Sequence, residues 1–259
     1  MLKKERLYRI EGLLKQKPFI TIPELQEELG VSRSSVMRDL DELEQAGRIS
    51  RERGGASGQN AEALARSIYS EPSVLSRENT NAEEKKAIAR AAAENLKDGS
   101  CIFLDSGTTP AYLIPYLLDK RIQIVTPSTY ISAQIPSSFG GEVYLLGGSY
   151  LQEYDTVCGS LAIDMLDQFN FDQAFIGANG ISLQQSEVSV FSEPIGALKK
   201  HAMKRSAKNI LLVDSTKFSI KAMSVFAKLP QFDQVITNAL PKGCRKPANV
   251  TICAKSTER

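Results

Sequence analysis

Two groups of hydroxyl and basic side chains carry the chemistry available to this chain, and both could hold phosphate. In the first, Ser32, Arg33, Ser34, Ser35 and Arg38 stand at the start of a helical stretch, and Arg48, Arg51 and Arg53 follow it. In the second, Asp105-Ser106-Gly107-Thr108-Thr109 ends an apolar run and opens a helix with Pro110 in its first turn. Backbone N–H groups and hydroxyls converging on such a turn suit an anion. No lysine follows in the spacing of a nucleotide-binding loop, so that chemistry is not expected. A further strand end, Val213-Asp214-Ser215-Thr216-Lys217-Phe218, sets a carboxylate and an ammonium over the same sheet edge. Asp105 or Asp214 could hydrogen-bond sugar hydroxyls, and Lys217 could neutralise an anionic group. Gly147-Gly148 and Gly177-Ala178-Asn179-Gly180 supply tight turns at two other strand ends.

The totals narrow the choices. At 259 residues, with 42% hydrophobic and 24% charged residues, the chain can hold a small domain and a medium one. A net charge of only +2 gives no overall cationic field, so nucleic-acid binding has to come from a local patch. Cys101, Cys158, Cys244 and Cys253 form no C-x-x-C pair. They read as reduced, mostly buried thiols rather than a zinc site or a disulfide framework. The single histidine, His201, lies in a lysine-rich stretch, which argues against Ser-His or Cys-His catalysis. No long apolar run, leader or lipidation motif is present, and a cytoplasmic protein without a membrane partner is expected.

Local signals place the first group on a helix-turn-helix. Residues Leu2 to Lys15 read as a helix whose Leu2, Leu7, Ile10, Leu13 and Leu14 face inward. Thr21-Ile-Pro-Glu24 is a capping box with proline in the first turn, and Gly30 ends that helix. Ser32 caps the next one, and Val31 can reach Val36 as a hydrophobic staple. Val36, Leu40 and Leu43 form its apolar stripe, whereas Ser34, Ser35, Arg38 and Glu42 face away, with Asp39, Asp41, Glu42 and Glu44 making the later turns acidic. Only the first two turns could approach phosphates, as in a recognition helix that enters the major groove by its N-terminal residues. Arg48 to Arg53 alternates before Gly54-Gly55 and reads as a short hairpin, or wing.

Residues 59–80 read as a linker, with a short helix or connecting arm over Ala61 to Tyr69 and an extended polar run from Glu71 to Asn81. Asn81 can cap a helix whose Ile88, Leu96 and intervening alanines are buried, and Asp98-Gly99 stops it. Six apolar runs then alternate with helical stretches: 101–105, 122–126, 143–147, 174–177, 210–214 and 235–237. This is the pattern of βα units around a largely parallel sheet, in which ligands bind beyond the carboxyl ends of the strands.

Val31-Ser-Arg-Ser-Ser-Val-Met-Arg-Asp-Leu40, Leu43, Gly47 and Arg53-Gly-Gly-Ala56 resemble the amino-terminal module of the DeoR family of bacterial sugar-metabolism repressors. Met37 stands where that family usually has a second arginine. Asn81-Ala-Glu-Glu-Lys85, Asp105-Ser-Gly-Thr-Thr109, Gly147-Gly148, Phe175-Ile-Gly-Ala-Asn-Gly-Ile181 and Asp214-Ser-Thr-Lys-Phe218 resemble its carboxyl-terminal sensor domain, which is similar in fold to ribose-phosphate isomerases. The resemblance covers nearly the whole chain. It implies a winged helix-turn-helix over 1–58, the linker over 59–80, and an α/β sensing and oligomerisation domain over 81–259. It also implies a phosphorylated sugar as effector, its phosphate at Ser106, Gly107, Thr108 and Thr109 with help from Lys85, and its hydroxyls near Asp105, Asn179 and Lys217, with Gly148 nearby. Glu193 and Lys200 receive no role, because the match around them is loose.

The expectation is therefore a repressor of a sugar-utilisation operon, without a cofactor or metal. Its partners are a double-stranded operator, a small-molecule effector and further copies of itself. The alternative is a sugar-phosphate isomerase with an appended DNA-binding head, using Asp105 or Glu193 with Lys217 as acid and base. A second rival makes the head a protein-interaction module.

Overall fold

The structure is a computed structural model and describes residues 3–14, 19–46, 48–52, 54–58, 74–94 and 96–253. It divides into two compact units, Met1–Glu71 and Pro72–Arg259. The expectations for Leu2, Arg53 and the linker at 59–73 fall outside the described residues.

In the first unit, helix α1 (Lys3–Leu14) precedes strand β1 (Phe19–Thr21), helices α2 (Ile22–Leu29) and α3 (Arg33–Gln45), and a hairpin of β2 (Ile49–Glu52) and β3 (Gly55–Gly58). The sequence dictates its turns. Thr21 accepts from the Glu24 N–H while Glu24 reaches back to the Thr21 N–H, and Gly30 closes α2 at φ +62°, a left-handed position that suits glycine. Ser32 then accepts from the Ser35 N–H and opens α3. Ile10, Leu25, Val36, Leu40 and Leu43 form the buried centre. The hairpin is extended by β1, which pairs antiparallel with β3 to give the order β1-β3-β2. That third strand gave no sequence signal, because three residues pair only through the tertiary fold.

In the second unit, α4 (Val74–Arg77) and α5 (Ala82–Ala93) lead into a seven-stranded parallel sheet. Its strands are β4 (Cys101–Leu104), β5 (Gln123–Thr126), β6 (Glu142–Leu145), β9 (Gln173–Gly177), β12 (Asn209–Leu212), β14 (Gln234–Thr237) and β15 (Val250–Ile252), in the order β15-β14-β12-β9-β4-β5-β6. All six expected strands are present, and β15 is an addition. Successive residues serve opposite faces. Phe103, Val125 and Ile176 enter one apolar cluster, while Ile102, Leu104 and Ile124 enter the other. Burial on both faces is why the five inner strands read as unbroken apolar runs, whereas β6, at the edge, has all four residues exposed.

Short helices α6 (Thr108–Ala111), α7 (Ile114–Leu117) and α8 (Thr129–Gln134) fill the crossovers. A hairpin of β7 (Ser149–Leu151) and β8 (Thr156–Cys158) leads to α9 (Ser160–Leu166). A separate antiparallel sheet joins β10 (Gly180–Ser182), β11 (Glu187–Val190) and β13 (Ser224–Lys228), with α10 (Glu193–Lys204) packed on β13.

Three local expectations need correction. The stretch expected to run extended to Asn81 is helical at Val74–Arg77, where Val74 is buried. Asn81 precedes α5 in the left-handed region without capping it through its side chain; its amide donates to Asp214 Oδ1 at 3.2 Å instead. That helix ends at Ala93, before Asp98-Gly99. The expectation that the four thiols are mostly buried also needs correction: only Cys158 is buried, while Cys101 and Cys253 are half-buried and Cys244 is exposed. Burial pushes the thiols of Cys101, Cys158 and Cys253 above their usual pKa.

Candidate effector and nucleic-acid sites

The strand order fixes where a ligand can enter the second unit. From β4 the chain moves outward through β5 to β6, then returns to β9 on the other side of β4 and moves outward through β12 and β14 to β15. The connections leaving β4 and β9 therefore run in opposite directions, and between them lies a topological switch point, the usual crevice for ligands in such sheets. Both candidate motifs sit there. Asp105 to Thr109 follows β4, and Ala178-Asn179 follows β9.

Four consecutive donors line the first of these loops. Among the described residues, the backbone N–H groups of Ser106, Gly107, Thr108 and Thr109 meet no protein acceptor, and neither do their three hydroxyls find a partner; the bonds resume with Ala111 donating to Gly107 O. Ser106, Thr108 and Thr109 are nevertheless buried. The first N–H groups of a helix have no intrahelical partner, so these donors stand available to an external acceptor. The helix that follows is only four residues long, so the donors themselves, rather than a helix dipole, supply the attraction.

The carboxylates are already engaged. Asp105 Oδ2 accepts from Gly177 N at 2.8 Å and from Lys199 Nζ at 2.5 Å, and Lys199 also donates to Gly177 O at 2.9 Å. Asp105 is 1% and Lys199 5% exposed, so this is a buried, hydrogen-bonded ion pair that pins α10 to the β4 and β9 ends. Asp105 Oδ1 is left without a protein donor among the described residues.

Sequence reasoning passed over Lys199 and weighed its exposed neighbour Lys200. The missed signal was periodicity: Lys199 lies four residues after Ile195, on the buried face of α10. Asp214 Oδ1 accepts from Asn81, from the Thr216 N–H and from the Thr216 hydroxyl. Asn179 Oδ1 accepts from Phe191 N at 3.2 Å, while its amide nitrogen has no protein acceptor among the described residues. Lys85 is buried and donates to Arg77 O at 2.6 Å, and its ammonium lies 6.0 Å from the centre of the Tyr112 ring. Lys217 is half-buried in the 3-10 helix Ser215–Ser219.

Gly148 stands at another strand end of the same sheet. It follows β6, two strands from β4, at φ +147°, and a Cβ there would lie 2.6 Å from Cys158 O. Close packing against the β8–α9 corner accounts for that glycine.

In the first unit, Ser32, Arg33, Ser34 and Arg38 are exposed at the start of α3, with Ser35 half-buried beside them. Arg38 Nε donates to Ser34 O at 3.2 Å, and the other donors of its exposed guanidinium have no protein partner among the described residues. The wing arginines are more constrained. Arg48 pairs with Glu11, and Arg51 pairs with Asp41 and donates to Met37 Sδ at 3.3 Å. Arg53 lies outside the described residues. Asp39, expected on the acidic outer side, is buried at 1% exposure, where Arg6 grips both its oxygens at 2.7 and 3.0 Å. That bidentate pair raises the Arg6 pKa, chiefly through the hydrogen bond to Asp39, and ties α1 to the recognition helix.

A model of the DeoR C terminal sensor domain matches residues 80–239, and an HTH domain model matches residues 5–56. The HTH-type transcriptional repressor GlcR of Bacillus subtilis (strain 168) is 33% identical over 242 residues, covering 93% of this chain and 90% of that protein. The chain belongs to the DeoR family. The lactose phosphotransferase system repressor of Lactococcus lactis subsp. lactis is also 33% identical, over 92% of each chain. Among solved structures, ribose 5-phosphate isomerase A from Methanocaldococcus jannaschii aligns with 54% of this chain and 55% of its own at 19% identity, with a TM-score of 0.40.

This DeoR-family chain is thus a transcriptional regulator of sugar metabolism and not an enzyme, because the relatives that match it along most of their length are repressors. The isomerase alternative falls with that result. No helix among the described residues is long and apolar enough to cross a membrane.

Proposed function

We propose that this regulator is a repressor whose α3 reads an operator and whose second unit is released from repression by a phosphorylated sugar, with self-association of the second unit linking two heads. The observation that carries the effector assignment is the run of four unengaged N–H groups at Ser106 to Thr109, placed at the switch point of the sheet. A phosphate dianion satisfies several such donors at once, and charge-assisted bonds of this kind are roughly twice as strong as neutral ones. The sugar extends toward the free Oδ1 of Asp105, the Asn179 amide and Lys217. On the head, Ser34, Arg33 and Arg38 supply the exposed donors. Arg48 and Arg51, already paired with acids, and Arg53 take phosphate contacts in a supporting role, and Ser32 and Ser35 hold the cap.

A thermal-shift panel of sugar phosphates against the same sugars unphosphorylated tests the reading. A ligand present at 100 times its Kd adds about 2.7 kcal/mol of stability. Only phosphorylated members are expected to raise Tm, and the same members release the chain from a promoter duplex of the neighbouring genes. Thr108→Val combined with Lys217→Ala keeps DNA binding and loses both responses. A normal response from that double variant removes the pocket from this loop.

A further inference from the structure

Half of the large apolar side chains that stand exposed in the described residues fall in one short stretch. Val143, Tyr144, Leu145, Tyr150, Leu161 and Met165 are 37%, 40%, 42%, 50%, 66% and 37% exposed. They belong to one region: Gly147, two residues after Leu145, donates its N–H to Met165 Sδ at 3.1 Å, and Leu161 lies one turn before Met165 on α9. Aromatic side chains alone present about 150–250 Å² each, so six side chains at these exposures leave on the order of 500 Å² uncovered. Patches of that size on a monomer are commonly functional.

At the centre of the patch is β6, the last strand of the parallel sheet. Glu142 and Leu146 donate inward to Ile122 O and Thr126 O, both at 3.0 Å. By the two-residue alternation of a strand, the N–H and C=O groups of Val143 and Leu145 face away from the sheet. The strand is only four residues long, and it has no lysine, no proline and no bulge to protect its open edge. Its one charge, Glu142, is held by the Tyr144 hydroxyl at 2.7 Å.

We propose that a second copy of this chain docks on this edge, β6 against β6 in antiparallel register about a twofold axis through Tyr144, so that the two seven-stranded sheets become one. The register follows from the outward groups. Val143 of one copy and Leu145 of the other exchange two N–H···O bonds, and the twofold repeats them. Tyr144 then faces its own mate across the axis. An isologous contact has to be self-complementary, and an apolar strand with its only charge internally bonded meets that condition. The area also suits a second copy: full cover of the patch on both copies buries about 1,000 Å², the lower bound for a specific interface, with Tyr150, Leu161 and Met165 meeting the partner beside the paired strands. The proposal deepens the self-association invoked above by naming its surface.

The test is sedimentation of the full chain at micromolar concentration, for the wild type and for Val143→Lys with Leu145→Lys. We expect a wild-type dimer or larger, a mass reduced by at least half in the double variant, and an unchanged thermal shift with sugar phosphates. A monomeric wild type overturns the proposal and the self-association together. An assembly that survives the two lysines overturns this surface alone. If the lysine variant does not fold, Tyr144→Cys in a Cys244→Ser background decides. Directly opposed residues of an antiparallel pair lie within disulfide range, so mild oxidation gives a cross-linked dimer if the axis passes through residue 144, and none if it does not.

Discussion

Arg38 and Arg48 differ in what already holds them, and that difference separates their contributions to operator binding. Arg38 is anchored by one bond to its own helix and its remaining donors have no protein partner among the described residues, whereas Arg48 is paired with Glu11 and has to give up that pair to reach a phosphate. Arg38→Ala is expected to cost about 1–3 kcal/mol of affinity for the cognate duplex and to relax discrimination at one base pair, the signature of a bidentate base contact. Arg48→Ala is expected to weaken cognate and non-cognate duplexes alike and by less. Anisotropy titrations with both duplexes check the pair, and equal losses from the two variants would contradict the assignment.

Buried charges are what the sequence hides. Asp39 and Lys199 are charged residues on buried faces, each neutralised by a partner far along the chain, Arg6 and Asp105. Apolar periodicity assigns charges to solvent by default, so a buried ion pair escapes it unless the partner is known.

Elements were legible where their signals are local. The capping box at Thr21, the left-handed Gly30 and the cap at Ser32 are set by residues within one turn, and the five inner strands β4, β5, β9, β12 and β14 announce themselves because both of their faces are buried, whereas β6 reads as an apolar run although all four of its residues are exposed. The loop after β4 was legible as a loop for the same reason, as hydroxyls and glycine following an apolar strand. What escaped depends on pairing across the chain. Strand β1 has three residues, too few to show a period, and β11, Glu-Val-Ser-Val, alternates over only four, the shortest run that reads as a strand.

Gly55 records one such pairing. A Cβ on it would lie 2.2 Å from Ile20 O, so β1 and β3 can approach only because the side chain is missing. Gly55→Ala is expected to destabilise the first unit by about 1–3 kcal/mol, as overpacking does, and to leave the second unit unchanged. Urea unfolding followed separately for the two units measures it, and an unaltered first transition would mean that the hairpin adjusts freely.

For the whole molecule, a net charge of +2 excludes a long-range field, so operator affinity rests on the few exposed donors of α3 and, under the self-association proposed above, on how two heads are presented together. An effector bound in the second unit changes that presentation only if it binds the DNA-competent arrangement more weakly than the other; equal affinity for both shifts nothing. Linkage then makes a demand that can be measured from the opposite side. Whatever factor the sugar phosphate takes from operator affinity, saturating operator takes from sugar-phosphate affinity. For a coupling of about 1–3 kcal/mol, the effector Kd rises roughly 5- to 150-fold when the duplex is present. Calorimetric titration of the effector into the free chain and into the preformed complex gives both values. Equal constants in the two titrations, alongside release of the chain from DNA, would mean that the anion acts by screening phosphate contacts at the head rather than through the loop after β4.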